Sequence, residues 1–341
     1  MLNIIEQGRL PVSYAVYAMV FLIFLLVTHS VVAEEYNPEL DECMQVEMLE
    51  AGNTVTVGEI RELCQQQLTE TGEMTKETNL ERRIQLEMSA KDNPYVISVH
   101  KPNYILLYAH NEKTNEAPLE NQFPDEGIPL DDTEVKFQIS VKFPLVLDLF
   151  DGKGGVFFSY TNRSFWQLYN DSSAPFRETN HEPEVFMILK NDWKFLGFTN
   201  TFVNVGFVHQ SNGRGTTLSR SWNRIFASFV FEKDNVVLGF KPWYRIPEDE
   251  EDDDNPDIED FMGHFEFTGI YKQGPHTFSA MLRNNLESNG NRGAVQIDWV
   301  FPLTRYLKGY VQYFNGYGES LIDYNYDQES IGVGFALTGW L

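Results

Sequence analysis

Three polar residues close together in the chain are of the types that a nucleophilic hydrolase needs. His209 and Ser211 are two residues apart, and Asn223 follows twelve residues after Ser211. An imidazole acts as a general base, a hydroxyl acts as a nucleophile, and a neutral amide holds the imidazole in one orientation. These residue types therefore indicate nucleophilic hydrolysis of an ester, provided that the fold brings the three side chains together.

The residues around this group alternate as in two β-strands joined by the polar loop 210–219. Side chains of a strand point alternately to its two faces. His209, Ser211 and Asn223 should therefore share their faces with apolar residues, namely Val203, Val205 and Phe207 on the first strand and Ile225, Ala227, Phe229 and Phe231 on the second. Polar groups on a lipid-facing surface are costly and are functional candidates. If these faces contact lipid, we expect an enzyme that acts on lipid.

The same alternation recurs from about residue 95 to the end of the chain. It is clearest from Glu134 to Phe143, where every second residue is apolar. We predict about twelve strands, near residues 96–109, 133–144, 154–167, 180–190, 194–209, 220–232, 235–246, 261–272, 275–285, 293–302, 305–315 and 328–340. This indicates an all-β fold, either a membrane barrel with its apolar face outward or a soluble sandwich with that face inward.

The connections between the predicted strands favour the barrel. Short and long connections alternate along the chain, as periplasmic turns and external loops do in outer-membrane barrels, although 145–153 is longer than this rule predicts. The six tryptophans, including Trp222 and Trp243, fall near strand ends, where aromatic girdles form. We therefore predict a 12-stranded antiparallel transmembrane β-barrel over 95–341. With both barrel ends in the periplasm, the hydrolytic group lies at the depth of the outer leaflet.

The first 94 residues have a different composition. Arg9 precedes an apolar run that ends in small residues at Ala33, which predicts a signal peptide over residues 1–33. The alternative is a retained membrane anchor. Residues 34–94 are rich in Glu, Gln, Thr and Met and predict a small periplasmic extension that is partly helical or disordered. Cys43 and Cys64 are the only cysteines, and an exported protein favours a disulfide between them over two free thiols.

The charge of the chain excludes one class of function. The formal net charge of the 341 residues is -24. Such an acidic chain is not expected to bind nucleic acid, whose phosphates attract basic proteins. An acidic surface that meets divalent cations is the more natural interpretation.

From about residue 94 the sequence resembles the bacterial outer-membrane phospholipase A family. The resemblance runs through ordered blocks, which are Tyr160-Thr161, Ser164, Trp166–Leu168, Pro175–Asn180, His209–Asn223, Lys241–Tyr244, Asn255–Ile258 and Gly316–Asn325. It implies a barrel in the bacterial outer membrane that hydrolyses acyl esters of phospholipids and lysophospholipids as a calcium-dependent homodimer. Ser211 would be the nucleophile, His209 the base and Asn223 the residue that orients the imidazole.

The resemblance also implies where calcium binds. The family's pattern carries over to the Arg214 carbonyl and Ser219, with a backbone carbonyl of the partner subunit's Ser173 completing one Ca²⁺ site per active centre. The loop before Pro175 is one residue shorter than in the family, so Ser172 is the alternative to Ser173. The Ser211 backbone N–H and a calcium-bound water would then stabilise the oxyanion. Asp254 matches one position of a second calcium site, but Thr216 stands where some members carry an acidic residue. Two further departures are Asn162 in place of a Gln and His181 in place of an aromatic residue.

Two other function classes compete with a membrane lipase. One is a barrel that has lost catalysis and acts as a pore or binding scaffold, because porins have the same alternation. The other is a soluble sandwich hydrolase with the same faces buried. The presence of His209, Ser211 and Asn223 on one outward face favours the enzyme. His181 and the remaining histidines lack a matching Ser and Asn, so we expect them to be ordinary strand or loop residues.

Overall fold

The computed structural model describes residues 40, 43, 44, 47, 56–70, 80, 83, 97–118, 130–171, 174–304 and 307–340. Twelve long strands form one antiparallel sheet; they are β1 Asn103–Asn111, β2 Thr133–Asp148, β3 Gly154–Trp166, β4 Phe176–Lys190, β5 Phe198–Ser211, β6 Ser221–Lys233, β7 Val236–Ile246, β8 Phe265–Gln273, β9 His276–Asn284, β10 Gly293–Pro302, β11 Lys308–Tyr317 and β12 Asp327–Thr338. Each strand pairs with its sequence neighbour, and β12 pairs with β1. The sheet is therefore a closed barrel, as predicted.

The polarity of the two faces distinguishes this barrel from a soluble sandwich. On β2, Lys136, Gln138 and Ser140 are buried in the barrel interior, whereas Ile139 between them is 51% exposed. Exposed apolar side chains recur around the outer surface on the other strands, including Val185, Phe240, Phe267, Phe278, Ile297 and Ile331. Apolar residues outside and polar residues inside are typical of a barrel that stands in lipid.

Paired charges lie in the barrel interior. Lys136 Nζ lies 2.8 Å from Glu319 Oε1, and Arg177 contacts Glu134 and Asp323 at 2.9 and 2.6 Å. Pairing of this kind offsets the desolvation that buried charges suffer. These ion pairs therefore stabilise the polar interior.

Two tryptophans do not lie in an aromatic girdle. Trp222 and Trp243 are buried inside the barrel and meet edge to face, with the Arg224 guanidinium 3.8 Å from the Trp222 ring. They belong to an inner apolar cluster with Phe186, Val208 and Phe226. The expectation that both residues form part of a girdle is wrong, because their strand parity turns them inward.

The connections alternate in length as predicted. Short ones span 149–153, 191–197, 234–235, 274–275 and 303–307, and long ones span 112–132, 167–175, 212–220, 247–264, 285–292 and 318–326. The connection after β2 is short because that strand extends to Asp148. Within the long connection 247–264, a one-turn helix spans Ile258–Met262. The loop between β5 and β6 lies on the long-loop side of the barrel.

The chain divides into two compact units, residues 1–76 and 77–341. The first contains helix α1, Val57–Glu70, which begins with a capping box because Thr56 and Glu59 hydrogen-bond reciprocally. Cys43 and Cys64 form a disulfide. The predicted signal peptide and the domain boundaries at 33 and 94 lie outside the described residues and stay predictions. Among the residues that the structure does describe, no helix has the length and apolar content to cross a membrane.

Candidate active site

Strands β5 and β6 bring the predicted residues together on the outer face of the barrel. His209 pairs directly with Asn223, and Ser211 pairs with Ser221. Directly opposite residues of neighbouring antiparallel strands share a face. Phe207 and Ile225 on the same face are 41% and 49% exposed. The group therefore lies at the end of a paired apolar surface, as the alternation predicts.

The imidazole of His209 is held by the amide of Asn223. His209 Nδ1 lies 2.9 Å from Asn223 Oδ1. A carbonyl oxygen only accepts hydrogen bonds, so this contact places the proton on Nδ1 and leaves Nε2 free to accept one. Among the described residues, no hydrogen bond joins Ser211 Oγ to His209. The two residues share the outer face, and a hydrogen bond between a nucleophile and a base is often long until a substrate binds.

The strand ends that carry the site are supported from inside the barrel. Val208 and Trp222, the neighbours of His209 and Asn223 along the chain, are fully buried in the inner apolar cluster. Trp222 Nε1 donates to Gln210 Oε1 at 2.8 Å, which ties β6 to β5 at this level. A side chain held by a packed strand loses little further freedom on reaction, so the site is preorganised.

Asn212 organises the loop that follows Ser211. Its Oδ1 accepts hydrogen bonds from the backbone N–H groups of Arg214 and Arg220 at 3.3 and 3.0 Å, and its Nδ2 donates to Leu218 O at 2.8 Å. The Arg214 guanidinium also contacts Glu178 on β4 at 3.2 Å. One buried amide thus fixes both ends of the loop.

Comparison with known proteins places this chain in a family. The profile of the phospholipase A1 family matches residues 80–337. The phospholipase A1 of Klebsiella pneumoniae is 38% identical over 247 residues, which are 72% of this chain and 84% of that protein. The chain belongs to the phospholipase A1 family. The phospholipase A1 of Escherichia coli K12 is likewise 38% identical, over 72% of this chain and 83% of its own length.

Solved structures of family members have the same barrel. Outer membrane phospholipase A from Escherichia coli superposes with a TM-score of 0.68 at 36% identity, over 73% of this chain and 95% of that one. The outer membrane phospholipase of Salmonella typhi, solved as a dimer with bound calcium, gives a TM-score of 0.69 at 34% identity, over 78% and 99%. The predicted barrel fold and the predicted family are both confirmed.

The predicted metal ligands of this family member are only partly described. Ser219 Oγ donates a hydrogen bond to Asp254 Oδ2, so a hydroxyl and a carboxylate that the sequence assigns to separate calcium sites are in direct contact. Oxygen ligands of these types fit a hard cation such as Ca²⁺. Thr216 adds no carboxylate, and no group of three or more His, Cys, Asp or Glu side chains gathers among the described residues. Ser173 lies outside them.

One residue beside the site was missed by sequence reasoning. His181 on β4 pairs directly with Ser211 and therefore shares its outer face. Its Nδ1 lies 2.6 Å from the Tyr160 hydroxyl. The pairs His181–Ser211 and Glu184–Val208 belong to one continuous β4–β5 register. Between them, Glu182 and Pro183 have no ladder partner on β5. Pro183 has no N–H to donate, so the ladder opens beside His209. The position of His181 along its own strand does not predict that it lies beside Ser211, because only the register of β4 against β5 shows this pairing.

Proposed function

We propose that this chain hydrolyses acyl ester bonds of phospholipids and lysophospholipids in the bacterial outer membrane. The observation that carries the proposal is the His209–Asn223 hydrogen bond on the lipid-facing side of the barrel, on the same face as Ser211. An ester in the adjoining lipid layer reaches such a group without leaving the membrane. The phospholipase A1 relatives, such as the Klebsiella pneumoniae protein of which the alignment covers 84%, support this chemistry.

In this mechanism Ser211 is the nucleophile and His209 the general base. The Ser211 hydroxyl proton moves to His209 Nε2 while Oγ attacks the ester carbonyl, and the resulting imidazolium then protonates the departing alcohol. Water repeats the sequence on the acyl-enzyme and releases a fatty acid. Asn223 holds the imidazole throughout. A solved variant of the Escherichia coli enzyme with an active-site asparagine replaced by alanine supports an asparagine in this active site.

The negative charge that develops on the carbonyl oxygen needs stabilisation. The Ser211 backbone N–H is the proposed donor from this chain. Bound beside Ser211, Ca²⁺ would supply electrostatic stabilisation of this charge. The proposed ligands are the Arg214 carbonyl, Ser219 and Ser173 of the partner subunit, with Asp254 adjoining Ser219. The Salmonella typhi dimer with bound calcium supports both the metal and the homodimer.

Because one ligand comes from the partner, dimerisation would complete the site. A lipase that resides in its own substrate benefits from an inactive monomer, so we expect activity to follow the dimer population. We place both ends of the barrel in the periplasm and the long loops outside the cell. The active site then faces the outer leaflet.

The test is hydrolysis of a defined phospholipid by the purified protein in mixed micelles, with Ca²⁺ and with excess EDTA. We expect calcium-dependent release of fatty acid that Ser211→Ala abolishes. Ser221→Ala is the matched control, because Ser221 is the directly opposite serine on the same face. Its hydrolysis should match that of the unaltered protein. A folded, dimeric protein without calcium-dependent hydrolysis would instead be a catalytically silent barrel, a pore or binding scaffold.

A further inference from the structure

The amide of Asn223 has a second partner that the proposed mechanism does not use. Asn223 Nδ2 donates a hydrogen bond to Glu248 Oε1 at 2.9 Å, while Asn223 Oδ1 faces His209 Nδ1 at the same distance. The amide thus bridges an imidazole and a carboxylate. Glu248 does not itself contact His209 through any hydrogen bond among the described residues.

The carboxylate decides which way the amide points. Rotation of a side-chain amide by about 180° exchanges the positions of its oxygen and its NH₂ group. The hydrogen-bond partners alone decide which of the two orientations is adopted. An ionised carboxylate only accepts hydrogen bonds, so Glu248 holds the Asn223 NH₂ group on its own side and turns Oδ1 toward His209. The imidazole must then carry its proton on Nδ1, and Nε2 is left as the base.

The charge of Glu248 acts in the same direction. A hydrogen bond to an ionised acceptor is about twice as strong as a neutral one, and linked hydrogen bonds polarise one another. A polarised amide oxygen is a better acceptor for the N–H of His209, most of all when the imidazole is positively charged in the transition state. In a Ser-His-Asp triad the carboxylate contacts the histidine directly. Here the Glu248 carboxylate contacts Asn223, and Asn223 contacts His209.

The geometry of β7 places Glu248 next to Asn223. Asn223 pairs with Ile246, the last residue of β7, and Glu248 continues the outward alternation of Tyr244 and Ile246. The intervening Pro247 has a fixed backbone φ and favours an extended residue before it. The side chain therefore leaves the strand on the face that carries the active site.

The rest of the acidic loop is anchored elsewhere, which separates Glu248 from its acidic neighbours. Arg245 Nη2 binds both oxygens of Asp253 at 2.7 and 2.8 Å, and Asn255 Oδ1 accepts from Ser221 N at 2.9 Å. Glu250 is exposed. Among the acidic residues 248–254, only Glu248 hydrogen-bonds to Asn223 in the part of the chain that the structure describes.

We propose that Glu248 is a positioning residue that acts through Asn223 to fix the tautomer and orientation of His209. This inference rests on the proposed function for its kinetic readout, and its spectroscopic readout is independent of activity. The substitution is Glu248→Gln, which keeps the size of the side chain but removes its charge and adds a donor. Glu250→Gln is the matched control, because it removes the same charge from the same loop.

The first readout is kinetic. We expect Glu248→Gln to lower kcat about fivefold with little change in KM, whereas Glu250→Gln leaves both unchanged. In an Asn223→Ala background, Glu248→Gln should cause no further loss, because its route to His209 has been removed. An equal loss in both backgrounds would mean that the charge acts through space, and it would overturn the positioning role.

The second readout is the ¹⁵N NMR spectrum of histidine-labelled protein in detergent, with the His209 signals assigned by His209→Gln. At a pH where the imidazole is neutral, we expect the Nδ1–H tautomer in the wild type and a mixture of tautomers in Glu248→Gln. A Glu248→Gln protein with the wild-type His209 signals overturns the inference, whether or not the protein hydrolyses lipid. A wild-type protein without hydrolysis refutes the proposed function alone.

Discussion

Replacing Asn223 by alanine should slow hydrolysis by a predictable amount. The change removes the 2.9 Å hydrogen bond between Asn223 Oδ1 and His209 Nδ1. In the transition state the imidazole is charged, and a hydrogen bond to a charged group contributes about 1.5–3 kcal/mol. Each 1.36 kcal/mol is about tenfold in rate. We therefore expect Asn223→Ala to lower kcat by about 10- to 150-fold, with KM nearly constant because the bond strengthens only as charge develops.

The assay is the initial rate of fatty acid release from phospholipid in mixed micelles at saturating Ca²⁺. Asn204→Ala is the matched control, because Asn204 lies on the same strand but on the opposite, inward face. Its kcat should equal that of the wild type. An Asn223→Ala enzyme with unchanged kcat would refute the role of the amide. One as inactive as Ser211→Ala would show that Asn223 does more than orient the base.

Three other predictions concern the framework of the protein. Cys64→Ser removes the Cys43–Cys64 disulfide and should lower the unfolding free energy of the N-terminal unit by about 3 kcal/mol, seen as faster proteolysis of that unit; unchanged proteolysis would contradict a stabilising role of this bond. Burial raises the pKa of Glu319, but the charge of Lys136 and its hydrogen bond outweigh this and lower that pKa overall. Glu319→Gln should therefore lower the unfolding free energy by about 3 kcal/mol in denaturant titrations at neutral pH. The wild type should lose this contribution as the pH falls below the ordinary carboxyl range near ~4. A variant with wild-type stability would be inconsistent with a buried ion pair. Val205→Arg, on the lipid-facing side of β5, should destabilise the protein in lipid vesicles by about 2–4 kcal/mol, and no measurable loss would place this face away from lipid.

Alternation with a period of two explains why much of the site could be predicted from the sequence. It fixes the face of every residue once a strand is recognised, so the sequence predicts that His209 and Asn223 lie on the outer surface without knowledge of their pairing. The ends of strands were harder to predict, because they depend on partner strands. β5 continues to Ser211 rather than ending at His209, and β4 begins at Phe176 rather than at residue 180.

Contacts between separate loops could not be predicted from the sequence. Asp254 reaches Ser219 across two loops, and Glu248 reaches Asn223 from just beyond the end of β7. No periodicity of the sequence links residues that are 25 or 35 positions apart when at least one of each pair lies in a loop. The sequence of the acidic residues 248–254 carries no signal of these contacts, although Arg245 and Asn255 anchor the segment.

The most direct test of the central claim, that Ser211 on the lipid-facing surface is the nucleophile, is covalent labelling by a fluorophosphonate. The reagent forms a bond between serine Oγ and phosphorus and releases fluoride, and it labels only serines that a neighbouring base activates. Trypsin cleavage after Lys194 and Arg214 yields a peptide in which Ser211 is the only serine. We predict a single adduct on this peptide, parallel to the loss of hydrolysis, absent in Ser211→Ala and retained in Ser221→Ala. Inactivation with the label on another residue, or an unlabelled Ser211 in a fully inactivated enzyme, would contradict the assignment.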